Sequence, residues 1–226
     1  MNWVSTAEIV QVIEHRENVR EYIVRLEKER KYPPGSFVQL SLELVTASDI
    51  WPESRTFSIA SFKEGSMRLI IEKVGSYTSR IFDELQVGRQ CTIKYPYGDL
   101  FRAGTSDEKH LFLAGGLGIT PFIGLAEYFH GMGKIENVAL LYSARNAGDL
   151  IHLEHLNNLF GERLKIFITR ESDHQYSSRR IDIRDIQEQA ALGDHVYVCG
   201  SRSFTDDMLS ILRKNNFTNI HTDEWD

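Results

Sequence analysis

The sequence predicts two domains in tandem: an N-terminal antiparallel β-barrel over residues 1–104 and an α/β doubly wound parallel sheet over residues 105–226. Three observations predict this. The first hundred residues fall into short apolar stretches, several with period two, separated by turn residues, as in the antiparallel strands of a barrel. From residue 109 apolar strand-like runs alternate with helical ones, which implies a parallel sheet with helices on both faces. The first of those strands meets its helix through three glycines, Gly115, Gly116 and Gly118.

The barrel strands begin with the apolar run Ile9, Val10, Val12 and Ile13. Glu21 to Leu26 alternates as a half-buried strand does. Pro33-Pro34-Gly35 is turn chemistry, and Ser36 to Leu40 follows as the next strand. Thr56 to Ala60, Met67 to Lys73 and Gln90 to Lys94 complete the set, with turns at Lys63–Ser66 and Val87-Gly88 and one short helix near Ser79 to Leu85. Arg102 to Glu108 is polar and small, the composition of a boundary. Beyond it, His110 to Ala114 is an uninterrupted apolar run, the mark of a strand buried on both faces. Residues 121–130 place Phe122, Ile123, Leu125, Ala126 and Phe129 at helical spacing, with Thr120 as the expected N-cap and Pro121 at the first helical position. Strands then fall at Val138 to Tyr142, Leu164 to Thr169 and His195 to Cys199. Helices fall at Leu150 to Phe160, Ile183 to Ala191 and Phe204 to Asn215.

Composition narrows the chemistry. The 226 residues are 42% hydrophobic and 26% charged, as in an ordinary folded protein. With 26 basic and 32 acidic side chains the net charge is −6, which argues against a nucleic-acid partner. Two cysteines, Cys91 and Cys199, cannot supply the four thiolates of an iron–sulfur cluster or an all-cysteine zinc site. The eight histidines lack metal-ligand spacing, so no metal site is expected. No apolar run approaches the roughly 20 residues of a membrane helix. The N-terminus lacks the basic-then-apolar pattern of a signal peptide, so the expected location is the cytoplasm, with no membrane partner.

Ala114 to Pro121 carries the most chemical information. Glycines at a strand–helix junction let the backbone approach a phosphate, and the helix start offers unpaired N–H groups at the positive end of its dipole. The common dinucleotide fingerprint is absent: counted from Gly116, its third glycine falls on Pro121, and Tyr142-Ser143-Ala144-Arg145 replaces the acidic residue expected after the second strand. No Gly-Lys-Ser/Thr follows, so this is not a Walker loop.

Arg55-Thr56-Phe57-Ser58 in the barrel half, Gly115 to Pro121 in the second half and Cys199-Gly200-Ser201 near the end occur in an order that resembles the ferredoxin–NADP reductase family of flavoproteins, over nearly the whole chain. The resemblance implies FAD on the barrel. Arg55 pairs with the FAD pyrophosphate, Thr56 lies between, Phe57 stacks near the flavin where the family more often has tyrosine, and Ser58 reaches flavin N5. Ile70 to Val74, with Ile71 and Lys73, supplies backbone groups to the ring. Gly75-Ser76-Tyr77-Thr78-Ser79 is similar to the family's second flavin segment, so Gly75, Tyr77, Thr78 and Ser79 join the site. Tyr95 to Gly98 is similar to the turn that closes the barrel. In the second half, Gly116, Gly118 and Thr120 face the dinucleotide pyrophosphate, and Cys199, Gly200 and Ser201 lie beside the nicotinamide.

For the 2′-phosphate of NADP the resemblance points to Arg145, Thr169-Arg170-Glu171 and Arg179-Arg180, so NADPH is favoured over NADH. At the end of the chain, Trp225 covers the flavin or Asp223 contacts its edge. The implied catalytic residues are Ser58, Cys199 and Asp223. The implied activity is hydride transfer from NAD(P)H to FAD, with electrons passed to a separate ferredoxin, a flavodoxin or the iron–sulfur centre of an oxygenase. Arg16, Arg20, Arg25, Lys28, Arg30 and Lys31 offer either a docking patch for that acceptor or ordinary solvated faces. A flavin reductase that releases its flavin, and a flavin- or nucleotide-binding module without turnover, share the same motifs. Flavin retention and NAD(P)H oxidation separate the three.

Overall fold

The computed structural model describes residues 2–28, 30–61, 66–101, 107–171 and 175–222. The chain forms two compact units, Met1–Phe101 and Arg102–Asp226.

In the first unit, β1 (Trp3–Arg16), β2 (Val19–Leu26), β3 (Phe37–Ser41), β4 (Arg55–Ser58), β5 (Met67–Glu72) and β6 (Gln90–Tyr97) form one antiparallel sheet in the order β4-β3-β6-β1-β2-β5. The sheet curls until its two end strands meet. They join through an Ile59–Leu69 bridge and the Ala60 amide, which donates to the Arg68 carbonyl at 2.9 Å. Among the described residues no ladder links Arg55–Ser58 to Ile70–Glu72, so the barrel keeps a seam there. The inward-facing Ile9, Tyr22, Val24, Val38, Leu40, Leu69, Ile71 and Ile93 form its core.

Helix α1 (Ser76–Glu84) adds Tyr77, Ile81 and Phe82 to that core. It begins three residues earlier than the periodicity of Ser79 to Leu85 suggests. Ser76, Tyr77 and Thr78 are ordinary residues in a first turn, and their placement is fixed by tertiary contacts rather than by apolar spacing. Its last turn holds no basic residue. Arg20 of β2 supplies the cation instead, donating to the Phe82 carbonyl at 2.8 Å and lying 4.6 Å from the Phe82 ring centroid. Tyr95 to Tyr97 belongs to β6, with a cis Tyr95–Pro96 bond, and Gly98 follows at φ +88°. A β-carbon at Gly98 would also fall 2.8 Å from the Phe37 ring.

The second unit holds β7 (His110–Gly115), β8 (Val138–Ala144), β9 (Leu164–Ile168), β10 (His195–Cys199) and β11 (Ile220–Thr222), all parallel, in the order β11-β10-β7-β8-β9. Helix α2 (Thr120–Gly131) covers the face of Phe112 and Tyr197: the Phe112 and Phe122 rings stack 4.7 Å apart. Helices α4 (Ile183–Gln189) and α5 (Arg202–Lys214) cover the face of Leu111, Leu113, Val196 and Val198. Helix α3 (Leu153–Phe160) lies between β8 and β9 in the chain. Strand β11 is not among the strands that the sequence predicts. Three residues are too short to show a period, and they become a strand because β10 offers them an edge.

The segment that returns from β9 to α4 is tied down by charge. Arg179 donates twice to Asp185, at 2.6 and 2.7 Å, and Asp185 is 5% exposed. The Arg179 guanidinium holds the Asp185 carboxyl below its ordinary value of 3.8. A carboxylate depressed by folding stabilises the fold above its unfolded value, and that contribution disappears as pH falls through the folded value. Asp185→Asn is therefore expected to cost about 1–3 kcal/mol at pH 7. In urea titrations the gap to wild type closes as pH drops below the ordinary aspartate range. A gap that stays constant with pH would refute the charge-based account.

Candidate functional site

Two places collect the residues singled out by sequence, one in each unit. In the barrel unit the place is the seam and the helix that begins at its end. Arg55 opens β4, and its guanidinium carbon lies 4.8 Å from the centroid of Tyr77, in the first turn of α1. Arg80, one turn further along, approaches the same ring at 5.8 Å. The Tyr77 hydroxyl sits 3.1 Å from both the Leu40 and Glu53 carbonyls, donating to one of them, and accepts from the Leu42 amide at 3.2 Å. Tyr77 is thus a staple between α1 and the edge of the barrel. Burial pushes its phenol further up.

Thr78 lies at the third helical position, not at the cap. Its hydroxyl accepts from the Val74 and Gly75 amides at 2.9 and 3.0 Å and donates to the Gly75 carbonyl. That use leaves the hydroxyl pointing back at the loop, while the first-turn amides of α1 keep the orphan donors of any helix start. No acidic side chain occupies that turn. The helix start and Arg55 together make a place for an anion. Arg55 rests meanwhile on Glu53 at 3.2 Å, with both side chains about half exposed. An exposed pair of this kind is worth only about 0–1 kcal/mol, so the guanidinium exchanges it readily for a better-placed anion.

The remaining barrel residues line the seam. Thr56 is exposed and Ser58 half-buried on β4, and Phe57 packs against the barrel core from its rim. Across the seam Ile71 is fully buried, and Lys73 places its ammonium 5.5 Å from the Phe82 ring centroid. Ser79 follows Thr78 in α1, and its amide closes the first helical bond to Gly75. Sequence reading missed Arg80 and its links to Glu84, Glu43 and Glu53 at 2.9, 3.5 and 3.7 Å. Its spacing of three from Tyr77 and four from Glu84 was the available signal.

In the second unit the site is set by topology. The strand order reverses between β7 and β10, the switch point of an open parallel sheet, and a crevice opens beyond the carboxyl ends of those two strands. The glycine loop follows β7 and Cys199-Gly200-Ser201 follows β10. Gly116 to Ile119 forms a turn of 3-10 helix that runs straight into α2. Thr120 is consequently not the N-cap: it is the first residue of α2, and its hydroxyl donates to the Leu117 carbonyl at 2.7 Å.

The glycines serve different ends. Gly116 has φ +57° and open space where a β-carbon would stand, which suits close approach by a ligand. A β-carbon at Gly118 would overlap the Cys199 carbonyl, so that glycine lets two loops touch. Cys199 is buried at the end of β10, and Ser201 caps α5 by accepting from the Phe204 amide at 3.4 Å. Cys91 is also buried, its thiol pushed up to about 12, and neither cysteine forms a disulfide.

At the ends of β8 and β9 the chain continues in step. The Thr169 amide donates to the Ala144 carbonyl at 3.0 Å and the Arg170 amide to the Arg145 carbonyl at 2.9 Å, which sets the exposed Arg145 and Arg170 on neighbouring strands. Glu171 accepts from the Ala147 amide at 3.0 Å. Arg179 and Arg180 are engaged elsewhere, on Asp185 and Asp207. Of the basic residues in this part of the chain, Arg20 on β2 holds α1, Arg25 on β2 pairs with Glu8 at 2.8 Å, and Arg30, beyond β2, lies over Trp3. Asp223 and Trp225 lie outside the described residues.

Comparison with known proteins agrees with this layout. Residues 6–101 match the family model of the oxidoreductase FAD-binding domain and residues 112–209 that of the oxidoreductase NAD-binding domain. A glycine betaine monooxygenase reductase subunit from Chromohalobacter salexigens is 24% identical over 205 residues, 85% of this chain and 55% of the relative's length. A probable dihydroorotate dehydrogenase B (NAD(+)) electron transfer subunit from Pyrococcus furiosus is 26% identical over 208 residues, 92% of this chain and 74% of that one. The chain thus spans little more than half of the first relative. The crystal structure of the FAD/NAD-binding domain of nitric oxide dioxygenase from Vibrio cholerae O1 biovar El Tor superposes with a TM-score of 0.85 at 16% identity, covering 98% of each chain. No helix among the described residues is long and apolar enough to cross a membrane. With a barrel of the FAD-binding kind followed by a parallel sheet of the NAD-binding kind, the chain belongs to the ferredoxin–NADP reductase-like flavoprotein oxidoreductases.

Proposed function

We propose that this chain is the reductase component of an electron-transfer system. It takes hydride from NADPH through FAD and delivers electrons to a separate acceptor, a ferredoxin, a flavodoxin or the iron–sulfur centre of an oxygenase. The observation that carries the reading is Arg55 laid across Tyr77 at the uncapped start of α1, where the barrel seam ends. When bound, FAD supplies hydride acceptance and the conversion from two-electron to one-electron transfer.

Arg55 and the first amides of α1 hold the FAD pyrophosphate. Phe57 would offer its ring at the rim of the seam, Ser58 would hold or return a proton at flavin N5, and Ile71 on β5 with Lys73 just beyond it would lie beside the ring. Gly116, Gly118 and Thr120 receive the dinucleotide pyrophosphate, while Cys199, Gly200 and Ser201 orient the nicotinamide. Cys199 shapes the pocket and forms no covalent bond. Arg145 and Arg170 receive the 2′-phosphate, and their exposed side chains on adjacent strand ends support the preference for NADPH. An acidic acceptor meets little repulsion at the barrel. Residues 1–101 carry 13 basic and 14 acidic side chains, whereas residues 102–226 carry 13 and 18.

Two experiments test this. Purified protein is expected to be yellow, to keep its colour through gel filtration, and to bleach on anaerobic NADPH. Arg55→Ala is expected to weaken FAD retention by roughly 10-fold or more, the loss of a charge-assisted pair. A colourless protein that oxidises NADPH only with added flavin would make it a flavin reductase instead. Separately, Arg170→Ala is expected to raise KM for NADPH by about 10-fold while leaving KM for NADH nearly unchanged. Equal changes for both nucleotides would refute the 2′-phosphate assignment.

A further inference from the structure

The ends of β7 and β10 are not merely adjacent: one side chain joins them. Phe204, the third residue of α5, is partly buried beneath both strand ends. A β-carbon at Gly115 would fall 2.6, 2.7 and 2.9 Å from Phe204 Cγ, Cδ1 and Cδ2, and one at Gly200 would fall 2.7 Å from Cδ1. The latter would also lie 3.1 Å from the Gly115 Cα and carbonyl oxygen. The ring therefore lies against two neighbouring glycine backbones that leave no room for a β-carbon on either, and Gly118 in the next turn has none to spare against the Cys199 carbonyl. No slack remains at this junction, because backbone meets backbone on one side and a rigid ring on the other.

We infer that Phe204 is a positioning residue for hydride transfer. It gauges the separation of the glycine loop from the Cys199–Ser201 loop and so fixes where the nicotinamide end of the dinucleotide lies. The inference rests on the reading that these two loops receive that dinucleotide. Phe204 acts through Gly115 and Gly200 and makes no part of the 2′-phosphate site, so its effect falls on orientation rather than on affinity. Misplacement by about 1 Å is enough to slow a transfer on the order of 100-fold. The same packing explains why Gly115 and Gly200 are glycine: the need is internal room, not phosphate approach.

The test compares Phe204→Ala, Phe204→Met, Gly115→Ala and the double variant Gly115→Ala/Phe204→Ala as FAD-loaded proteins. Anaerobic stopped-flow at saturating NADPH reads hydride transfer, equilibrium titration with NADP reads affinity, and thermal unfolding reads stability. Phe204→Ala is expected to slow flavin bleaching by at least 10-fold while the NADP Kd changes less than about 3-fold. Phe204→Met, which refills most of the space, is expected to restore most of the rate. Gly115→Ala alone is expected to be slow and less stable, and removing the ring in the double variant to recover both. If Phe204→Ala does not fold, the Phe204→Met rate and the recovery of Gly115→Ala by Phe204→Leu read the same contact.

A Phe204→Ala rate equal to wild type, or a double variant no better than Gly115→Ala, would overturn the role while leaving the reductase reading intact. A wild type that binds neither NADPH nor NADH would overturn that reading and the role with it.

Discussion

Reversal of strand order is the constraint on which the nucleotide unit depends. β7 and β10 lie side by side, yet the chain leaves one toward β8 and the other toward β11, so their connections depart in opposite directions and leave a crevice between them. Hydrogen-bonded parallel neighbours sit only about 4.8 Å apart, so whatever follows both strands must be small. Gly115 at the end of one strand, Gly118 in its loop and Gly200 after the other strand leave that room, and the two loops close on each other through Gly118 and the Cys199 carbonyl. Any ligand of the crevice therefore meets main chain first.

A second constraint acts in the barrel. Among the described residues the end strands meet at the Ile59–Leu69 bridge and the Ala60–Arg68 hydrogen bond, and the seam beyond them would expose core side chains unless something filled its end. α1 does so with Tyr77, Ile81 and Phe82. Its position is set at both termini, by the Tyr77 hydroxyl against β3 and by Arg20 on the Phe82 carbonyl. The start of a helix fixed this firmly can present its amides to an anion without reorganising, and preorganised donors are what a charged cofactor rewards. Fold and candidate site are one arrangement here: the helix that completes the core also begins beside Arg55.

Much of this was readable in the amino-acid order. The switch from period two to alternating strand and helix located both halves, and strands such as His195–Cys199 appear at the expected bounds. What escaped depended on contacts between distant segments. Ile220–Thr222 has no strand signal of its own and needs the β10 edge. Thr120 has the chemistry of an N-cap, yet the 3-10 turn over Gly116–Ile119 moves the helix start past it. Tyr77 and Thr78 stand out by resemblance to a flavin segment, but nothing local shows that their hydroxyls are tied to the barrel edge and the Gly75 loop. Phe204 reads as one more helical apolar residue, and nothing local says that it lies under two glycines.

Charge shows the same division most clearly. Arg55, Arg145, Arg170, Arg179 and Arg180 are alike in sequence, each in or beside a loop. Their partners separate them. Arg179 makes a bidentate pair with a buried carboxylate, and taking it away from Asp185 would strand a charge in a poorly solvated place, a cost of several kcal/mol that no ligand of modest affinity recovers. Arg55 holds a half-exposed glutamate, and water replaces that pair at almost no cost. An arginine serves ligand recognition when its resting partner is cheap to leave. By that criterion the cations open to phosphate are those at the exposed strand ends and at the seam. Of the consecutive Arg179 and Arg180, only Arg179 is committed to a buried acid, whereas Arg180 holds the exposed Asp207 and is as free to leave it as Arg55 is to leave Glu53.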